Sequence, residues 1–200
     1  MTLLLHDPLA HWLVIAAAVA TALGEIAATI LGRARGGERR GAAERQDRGT
    51  RLVVGLGAYL AITAALAIAR VPRLRDYAND WWTLGLGIAI VLAGAGLRDW
   101  AIVSLGRYFR REVTIEPGQR IVRRGPYRVL RHPSYAGLLL IFAGFGLTFG
   151  SWVSAVVALL IVFVGMLPRI RVEEGALARA FGPEYADYAE STDRLLPHVW

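Results

Sequence analysis

Residues 120–137 read R-I-V-R-R-G-P-Y-R-V-L-R-H-P-S-Y-A-G and lead without a break into the apolar run L-L-L-I-F-A-G-F-G. The stretch holds five arginines, one histidine, two tyrosines, two prolines and two glycines. Guanidinium groups are costly in hydrocarbon, so a cluster this dense belongs at a membrane face, with a helix entering the bilayer just after it. Pro133 suits the first turn of that helix, where its missing N–H would have had no intrahelical partner. The expected result is a rigid, cationic, aromatic-lined mouth at the cytoplasmic surface, suited to an anionic or amphipathic small molecule.

Working outward, the chain is 55% hydrophobic over 200 residues, too apolar for an ordinary soluble domain. Apolar runs at 9–31, 52–69, 81–97 and 138–168 approach or exceed the roughly 20 residues needed to cross a bilayer. Gly150-Ser151-Trp152 falls near the middle of the last run and predicts a helical hairpin, its two halves short enough to be tilted or only partly spanning. Trp81-Trp82 has the place of an interfacial belt opening the third span. The fold class is therefore all-α: a polytopic integral membrane bundle of about five transmembrane helices with a C-terminal hairpin at 138–168. Residues 1–97 form N-terminal transmembrane helices with a polar, Gly-rich linker at 33–51, and residues 98–200 form the part that carries chemistry. The N-terminus lacks the basic n-region of a cleaved signal, and the run after it is too long for one.

All 23 basic residues are arginine, and the formal charge is +7. In a soluble chain that balance would suggest nucleic acid; here the asymmetry of the loops explains it, and no nucleic-acid partner is expected. The segments 33–51, 98–131 and 169–200 hold 20 of the 23 arginines and share one face of a five-helix bundle. The positive-inside rule makes that face cytoplasmic, and the membrane is read as a bacterial inner membrane. Cysteine is absent, which excludes disulfides, thiolate metal sites and cysteine nucleophiles.

Several residues could carry chemistry. His132 sits beside a proline-fixed helix start, flanked by Tyr127 and Tyr135. Arg169 and Glu173 are spaced i, i+4 and so lie on one helical face, as the chain leaves the last apolar helix at Pro168. As a surface ion pair they would be worth at most about 1 kcal/mol. As a site, the arginine would face a carboxylate and the glutamate hydroxyl or ammonium groups. Tyr185 and Tyr188 follow at i, i+3, and Glu25 stands alone inside the first span. An intramembrane acid is a functional candidate by default, and a hydrogen bond to a neighbouring helix accounts for it equally well. V-T-I-E-P-G-Q-R-I-V, from Val113 to Val122, alternates like two short strands about a Pro-Gly turn. No G-x-G-x-x-G follows a strand, and neither a P-loop nor H-E-x-x-H occurs. The acids near His132 lack metal-ligand spacing, so no metal is expected.

G-P-Y-R-V-L-R-H-P-S-Y-A-G, followed by R-x-x-x-E-E, F-G-P-E-Y-A-D-Y and L-L-P, resembles the isoprenylcysteine carboxyl methyltransferase family, which is related to phospholipid methyltransferases. The likeness spans roughly Arg98 to Trp200; residues 1–97 match only in being transmembrane. It implies a membrane bundle that binds S-adenosyl-L-methionine in a small cytosolic pocket capped by the C-terminal segment. A lateral opening would admit a lipid-like or prenylated small-molecule substrate from among the membrane lipids. By position it assigns cofactor contacts to Gln119, Val122, Tyr127, His132, Pro133, Ser134, Tyr135 and Glu173. Arg169 and Arg194 are the catalytic candidates, the first matching an arginine assigned to the substrate carboxylate. Many members carry a further arginine three residues after the second tyrosine, where this chain has Ser191, and that departure leaves the acceptor open.

The function implied is methyl transfer to the carboxylate of an isoprenylcysteine-like or other amphipathic acceptor. Two alternatives stand beside it: N-methylation of a lipid amine, and an NADPH-dependent membrane reductase sharing the R-H-P-x-Y hairpin. A non-catalytic scaffold is the reading outside enzymes. Topology is directly testable because the chain has no cysteine. Single cysteines at Ala43 and Ala78 are expected to react with an impermeant thiol reagent from opposite sides, Ala43 from the cytoplasm; reaction of both from outside would reverse the assignment.

Overall fold

The computed structural model describes residues 7–34, 44–45, 49–74, 81–109, 114–115 and 119–197. Six helices are present among them: α1 (Pro8–Ala34), α2 (Thr50–Ala69), α3 (Trp81–Leu105), α4 (Pro133–Thr148), α5 (Trp152–Phe181) and α6 (Pro183–Glu190). Four of these, α1, α2, α3 and α5, are long and apolar enough to cross a membrane, and α4 is a shorter apolar helix. At about 1.5 Å per residue, α4 is roughly 24 Å long and falls short of the hydrocarbon thickness of about 30 Å. Large apolar side chains such as Trp12, Leu52 and Leu160 point outward, as they must where the solvent is lipid. Most of the linker read at 33–51, and residues 75–80 of the loop after α2, lie outside the described residues.

Helix order follows from which faces can approach closely. α1 packs on α3, α3 on α4, α4 on α5 and α5 on α2, so the helices form an arc with α1 and α2 at its ends. The tightest contact is α3 against α4. A Cβ at Gly94 would stand 2.6 Å from the Gly137 carbonyl oxygen, and one at Gly137 equally close to that of Gly94. One heptad along, Gly87 and Gly144 repeat the arrangement at 2.9 and 2.7 Å. Without water to drive helices together in a bilayer, such close backbone approach is what holds them. α5 is fixed to α2 by polar contacts as well. Ser151, at its N-cap, accepts from the Ser154 N–H at 3.3 Å and donates to the Leu74 carbonyl at 2.6 Å, while Ser154 donates to the Ala65 carbonyl at 3.1 Å.

The core lies between α2, α4 and α5, centred on Met166 and Ile170 with Leu139 and Phe142. Leu130 and Leu195 join it from outside the helices, because the chain after α6 returns as a strap beside residues 129–132. The main-chain N–H of Arg131 donates to Asp193 at 2.7 Å, that of His132 to Arg194 at 3.0 Å, and that of Asp193 back to Val129 at 2.9 Å.

The apolar span read as ending near Leu97 belongs to a helix, α3, that continues to Leu105, with Arg98 finding partners on α1 and α4. α5 runs through Pro168 to Phe181, the proline forfeiting one helical bond while contacts further along hold the next turns. The hairpin expected from Val113 to Val122 is not seen among the described residues: Thr114–Ile115 pairs antiparallel with Glu44–Arg45, residues 119–123 have no regular structure, and the Pro-Gly turn lies outside the described residues.

The α3–α4 contact is testable. Gly94→Val is expected to destabilise the detergent-solubilised protein by about 1–3 kcal/mol, since backbone cannot yield as a side chain can. Gly96→Ala, with no atom within 4 Å of the new Cβ, serves as the control. Equal thermal midpoints for the two variants would mean that the helices do not meet at Gly94.

Candidate functional site

Where α3, α4, α5 and α6 meet, the structure encloses a cavity of about 300 Å³. That is the lower end of the range for small-molecule sites. Every helix contributes to its wall. Glu25 comes from α1, Val54 from α2, Arg98 from α3, Tyr135 and Leu138 from α4, Arg169 and Glu173 from α5, and Tyr185 and Tyr188 from α6. Gln119 to Val122 form one side, with Tyr108 and Phe109 adjacent. Among the described residues, no main-chain hydrogen bond joins residues 120–122 to the rest of the chain.

The polar wall is built around Tyr135, on the first turn of α4. Its hydroxyl donates to Glu173 Oε2 at 2.6 Å and accepts from Arg169 Nε at 2.8 Å. One phenol thus fixes a cation and an anion one helical turn apart on α5. Arg169 is only 7% exposed, so the surface-pair reading of the i, i+4 spacing does not describe it. The His132 ring stacks on Tyr135 with centroids 5.4 Å apart and planes at 13°.

Behind this wall lies a second ionic cluster. Glu174 accepts from Arg194 at 3.1 Å through both Nε and Nη2, and Arg131 Nε lies 3.3 Å away as an ion pair without a hydrogen bond. His132 Nε2 lies 3.4 Å from the same carboxylate. Arg131 also donates to the Ala189 and Thr192 carbonyls. The start of α4, the middle of α5 and the strap are therefore stapled at one carboxylate.

A third network reaches across the bundle. Arg98 pairs with Glu25 through Nε at 3.2 Å and Nη2 at 3.0 Å, and its Nη1 donates to Ser134 Oγ at 2.7 Å and to the Ser134 carbonyl at 3.1 Å. The acid of the first span is neutralised here, and the arginine that neutralises it also holds the first turn of α4.

Aromatic groups close the remainder. The Tyr127 phenol is held well above its ordinary range, by burial first and then by the charge of Glu173. Burial pushes Tyr188 up to about 12 against the pull of Arg131 and Arg123. Both stay neutral at any physiological pH. Tyr188 donates to the Tyr127 carbonyl at 3.0 Å. The hydroxyl of Tyr185, by contrast, is buried and has no hydrogen-bond partner among the described residues. A buried unpaired hydroxyl at a cavity wall is a group waiting for a polar ligand atom.

Of the residues singled out from sequence, Gln119, Val122, Tyr127, His132, Ser134, Tyr135, Arg169 and Glu173 line this cavity. Pro133 and Arg194 do not: Pro133 is packed at the N-terminus of α4, and the Arg194 side chain faces Glu174. Sequence reasoning named Tyr185 and the Glu173-Glu174 pair but gave Tyr185 and Glu174 no role, and it did not single out Arg98 or Arg131 for the site. Tyr185 had a signal, the i, i+3 tyrosines after Gly182-Pro183. Arg98 had a fainter one, as the first arginine after a span and a counterion for Glu25. Among the described residues no group of three or more histidines and acids is placed to hold a metal ion.

Comparison with known proteins places this arrangement. The model of the isoprenylcysteine carboxyl methyltransferase family matches residues 86–179. Protein-S-isoprenylcysteine O-methyltransferase A of Arabidopsis thaliana is 33% identical over 152 residues, covering 70% of this chain and 77% of that protein. Protein-S-isoprenylcysteine O-methyltransferase of Rattus norvegicus is 31% identical over 120 residues, covering 59% of this chain and 42% of that one. Among solved structures, the eukaryotic intramembrane Ras methyltransferase ICMT, without a monobody, superposes with a TM-score of 0.58. It is 23% identical and covers 74% of this chain and 52% of the other, so it speaks for the fold alone. The spans, the shared helical architecture and the extent of the Arabidopsis match agree: this chain belongs to the isoprenylcysteine carboxyl methyltransferase family.

Proposed function

We propose that this protein is an integral membrane methyltransferase that takes a methyl group from S-adenosylmethionine and places it on the carboxylate of an isoprenylcysteine-like or other amphipathic acceptor. The observation that carries the reading is one cavity in which a buried arginine and a carboxylate, Arg169 and Glu173, are held by the single hydroxyl of Tyr135. Family membership and the methyltransferases among its relatives support the same reaction class.

The residues present fit that cofactor. It carries an ammonium and a sulfonium, ribose hydroxyls and a flat purine. The cavity offers the Glu173 carboxylate, the unpaired Tyr185 hydroxyl, the aromatic rings of Tyr108, Phe109 and Tyr127, and the main chain of residues 120–122. Neutral tyrosine faces favour a sulfonium by cation–π attraction. Gln119, Val122, Tyr127, His132, Ser134, Tyr135 and Glu173 are assigned to this side, with Pro133 fixing the start of α4. Bound there, S-adenosylmethionine supplies a methyl group on a sulfonium, and its transfer to a carboxylate oxygen quenches both charges.

Arg169 is assigned to the acceptor. A guanidinium stays charged at any working pH, and its planar fork matches a carboxylate bidentately. An ionised carboxylate needs no general base, so the protein's task is to align the two reactants and exclude water. Arg194 acts one step removed, as a positioning residue through Glu174. Residues 98–200 carry the chemistry, while 1–97 close the cavity with Glu25 and Val54. The lateral route for a lipid tail is assigned to the ends of the arc, at α1 and α2. The arginine distribution, 20 of 23 on one face, favours a site open to the cytoplasm, as in a bacterial inner membrane.

The direct test incubates purified protein with labelled S-adenosylmethionine and a farnesylated cysteine, and identifies the product by mass spectrometry. Arg169→Lys is expected to cut turnover while S-adenosylhomocysteine affinity by calorimetry stays nearly intact. Glu173→Gln is expected to weaken that affinity roughly tenfold or more, the value of a charge-assisted hydrogen bond. The reverse pattern would overturn the assignment of the two residues. A methylated lipid amine as product would replace the carboxylate reading, and saturable binding of NADPH in place of S-adenosylhomocysteine would remove the methyltransferase.

A further inference from the structure

A second cavity, of about 660 Å³, shares Leu105, Tyr108 and residues 120–122 with the first as a common wall. Its lining divides chemically. Arg120, Arg123 and Arg124 are the charged residues of the wall, Trp100, Val103 and Ile121 supply apolar surface, and no acid is among the described lining residues. Two of the arginines are already held in place. Arg124 Nε donates to the Ser104 carbonyl at 3.0 Å. Arg123 donates to the Glu184 carbonyl at 3.1 Å and lies 5.5 Å over the Tyr188 ring. A guanidinium has five N–H donors, so these contacts orient each group without exhausting it.

The depth of the cavity narrows what fills it. α3 has 25 residues. At about 1.5 Å each this is roughly 37 Å, longer than a hydrocarbon core of about 30 Å. Its last turns, from Trp100 onward, therefore reach the headgroup level, and Trp100 is 55% exposed there, the usual place for an interfacial tryptophan. Three arginines beside apolar surface at phosphate depth complement one kind of neighbour.

We infer that this cavity binds an anionic phospholipid of the surrounding bilayer. The phosphate meets Arg120 and Arg124, with Arg123 adding its charge from the side where it is held by Glu184 and Tyr188, and the first part of an acyl chain lies along Val103 and Ile121. Basic pockets beside transmembrane helices hold anionic headgroups by the same combination of charge and depth. The common wall gives the site a consequence. Residues 120–122 have no main-chain hydrogen bond to other described residues, so a lipid seated on one side braces the wall of the proposed methyl-transfer cavity on the other. The inference does not depend on which acceptor is methylated.

The test uses the full-length protein in nanodiscs of phosphatidylcholine with a minor fraction of phosphatidylglycerol, with retained lipid counted by native mass spectrometry. Wild type is expected to retain phosphatidylglycerol over phosphatidylcholine. Arg120→Gln and Arg124→Gln, made singly, are each expected to weaken that retention about fivefold, the value of one arginine at an anionic surface. Arg120→Gln keeps the test open should Arg124→Gln, which loses its bond to Ser104, fail to fold. Equal retention of the two lipids by wild type, or an unchanged preference in a folded variant, would overturn the site. So would a dimer in which a second copy, rather than lipid, covers these arginines.

Discussion

The site depends on a single carboxylate. Glu174 stands where three stretches far apart in sequence converge, and Arg131, His132 and Arg194 all face it. Charges in so shielded a place are tolerated only when paired, and removing one partner leaves the others uncompensated. Their pairing therefore fixes how the first turn of α4, the middle of α5 and the strap sit against one another. The parallel main-chain bonds between 129–132 and 193–194 reinforce the same register, and Leu195 is buried as a result. With that junction set, Tyr135 comes within reach of both Arg169 and Glu173. The chemistry of the neighbouring residue pair is thus arranged by an acid that does not itself line the cavity.

The parts of this arrangement legible in sequence are those governed by local rules. Pro133 declares a helix start because it needs no donor there, and Gly150-Ser151 declares a turn because a glycine at positive φ and a serine cap suit one. Trp81 opens α3 where the interfacial pair places it. Helix number and the separation of apolar from arginine-rich segments follow from the length a bilayer demands. What was not legible is pairing at a distance. Arg98 and Glu25 are 73 residues apart, and nine arginines between 98 and 131 compete for the role of counterion. Likewise, nothing local to Thr114–Ile115 points to Glu44–Arg45 as its strand partner. Helix ends have a related limit: Arg98 and Pro168 mark where the chain leaves an apolar span, and tertiary contacts decide how far the helix runs beyond them.

The wall shared by the two cavities illustrates a further limit of local reading. The run V-T-I-E-P-G-Q-R-I-V has the alternation of a hairpin, and alternation signals only that opposite sides of a segment meet different surroundings. Residues 120–122 each line both cavities without being strand. A segment that serves as a partition between two cavities has the same need for two chemically distinct faces as a strand in a sheet.

The boundary of the family model cuts across the cavity rather than around it. The family match begins at residue 86, yet Glu25 and Val54 belong to the wall. Glu25 is tied by Arg98 to Ser134, one residue from the Tyr135 that orders Arg169 and Glu173. α1 and α2 therefore both touch the cavity. On the proposed reaction, the matched part supplies what every methyl transfer of this kind needs: a held cofactor, an anchored carboxylate and exclusion of water. The part outside the match supplies the surface along which the acceptor's apolar portion must pass. Glu25 is the residue through which the first span reaches the arrangement of Tyr135, Arg169 and Glu173, by way of Arg98 and Ser134.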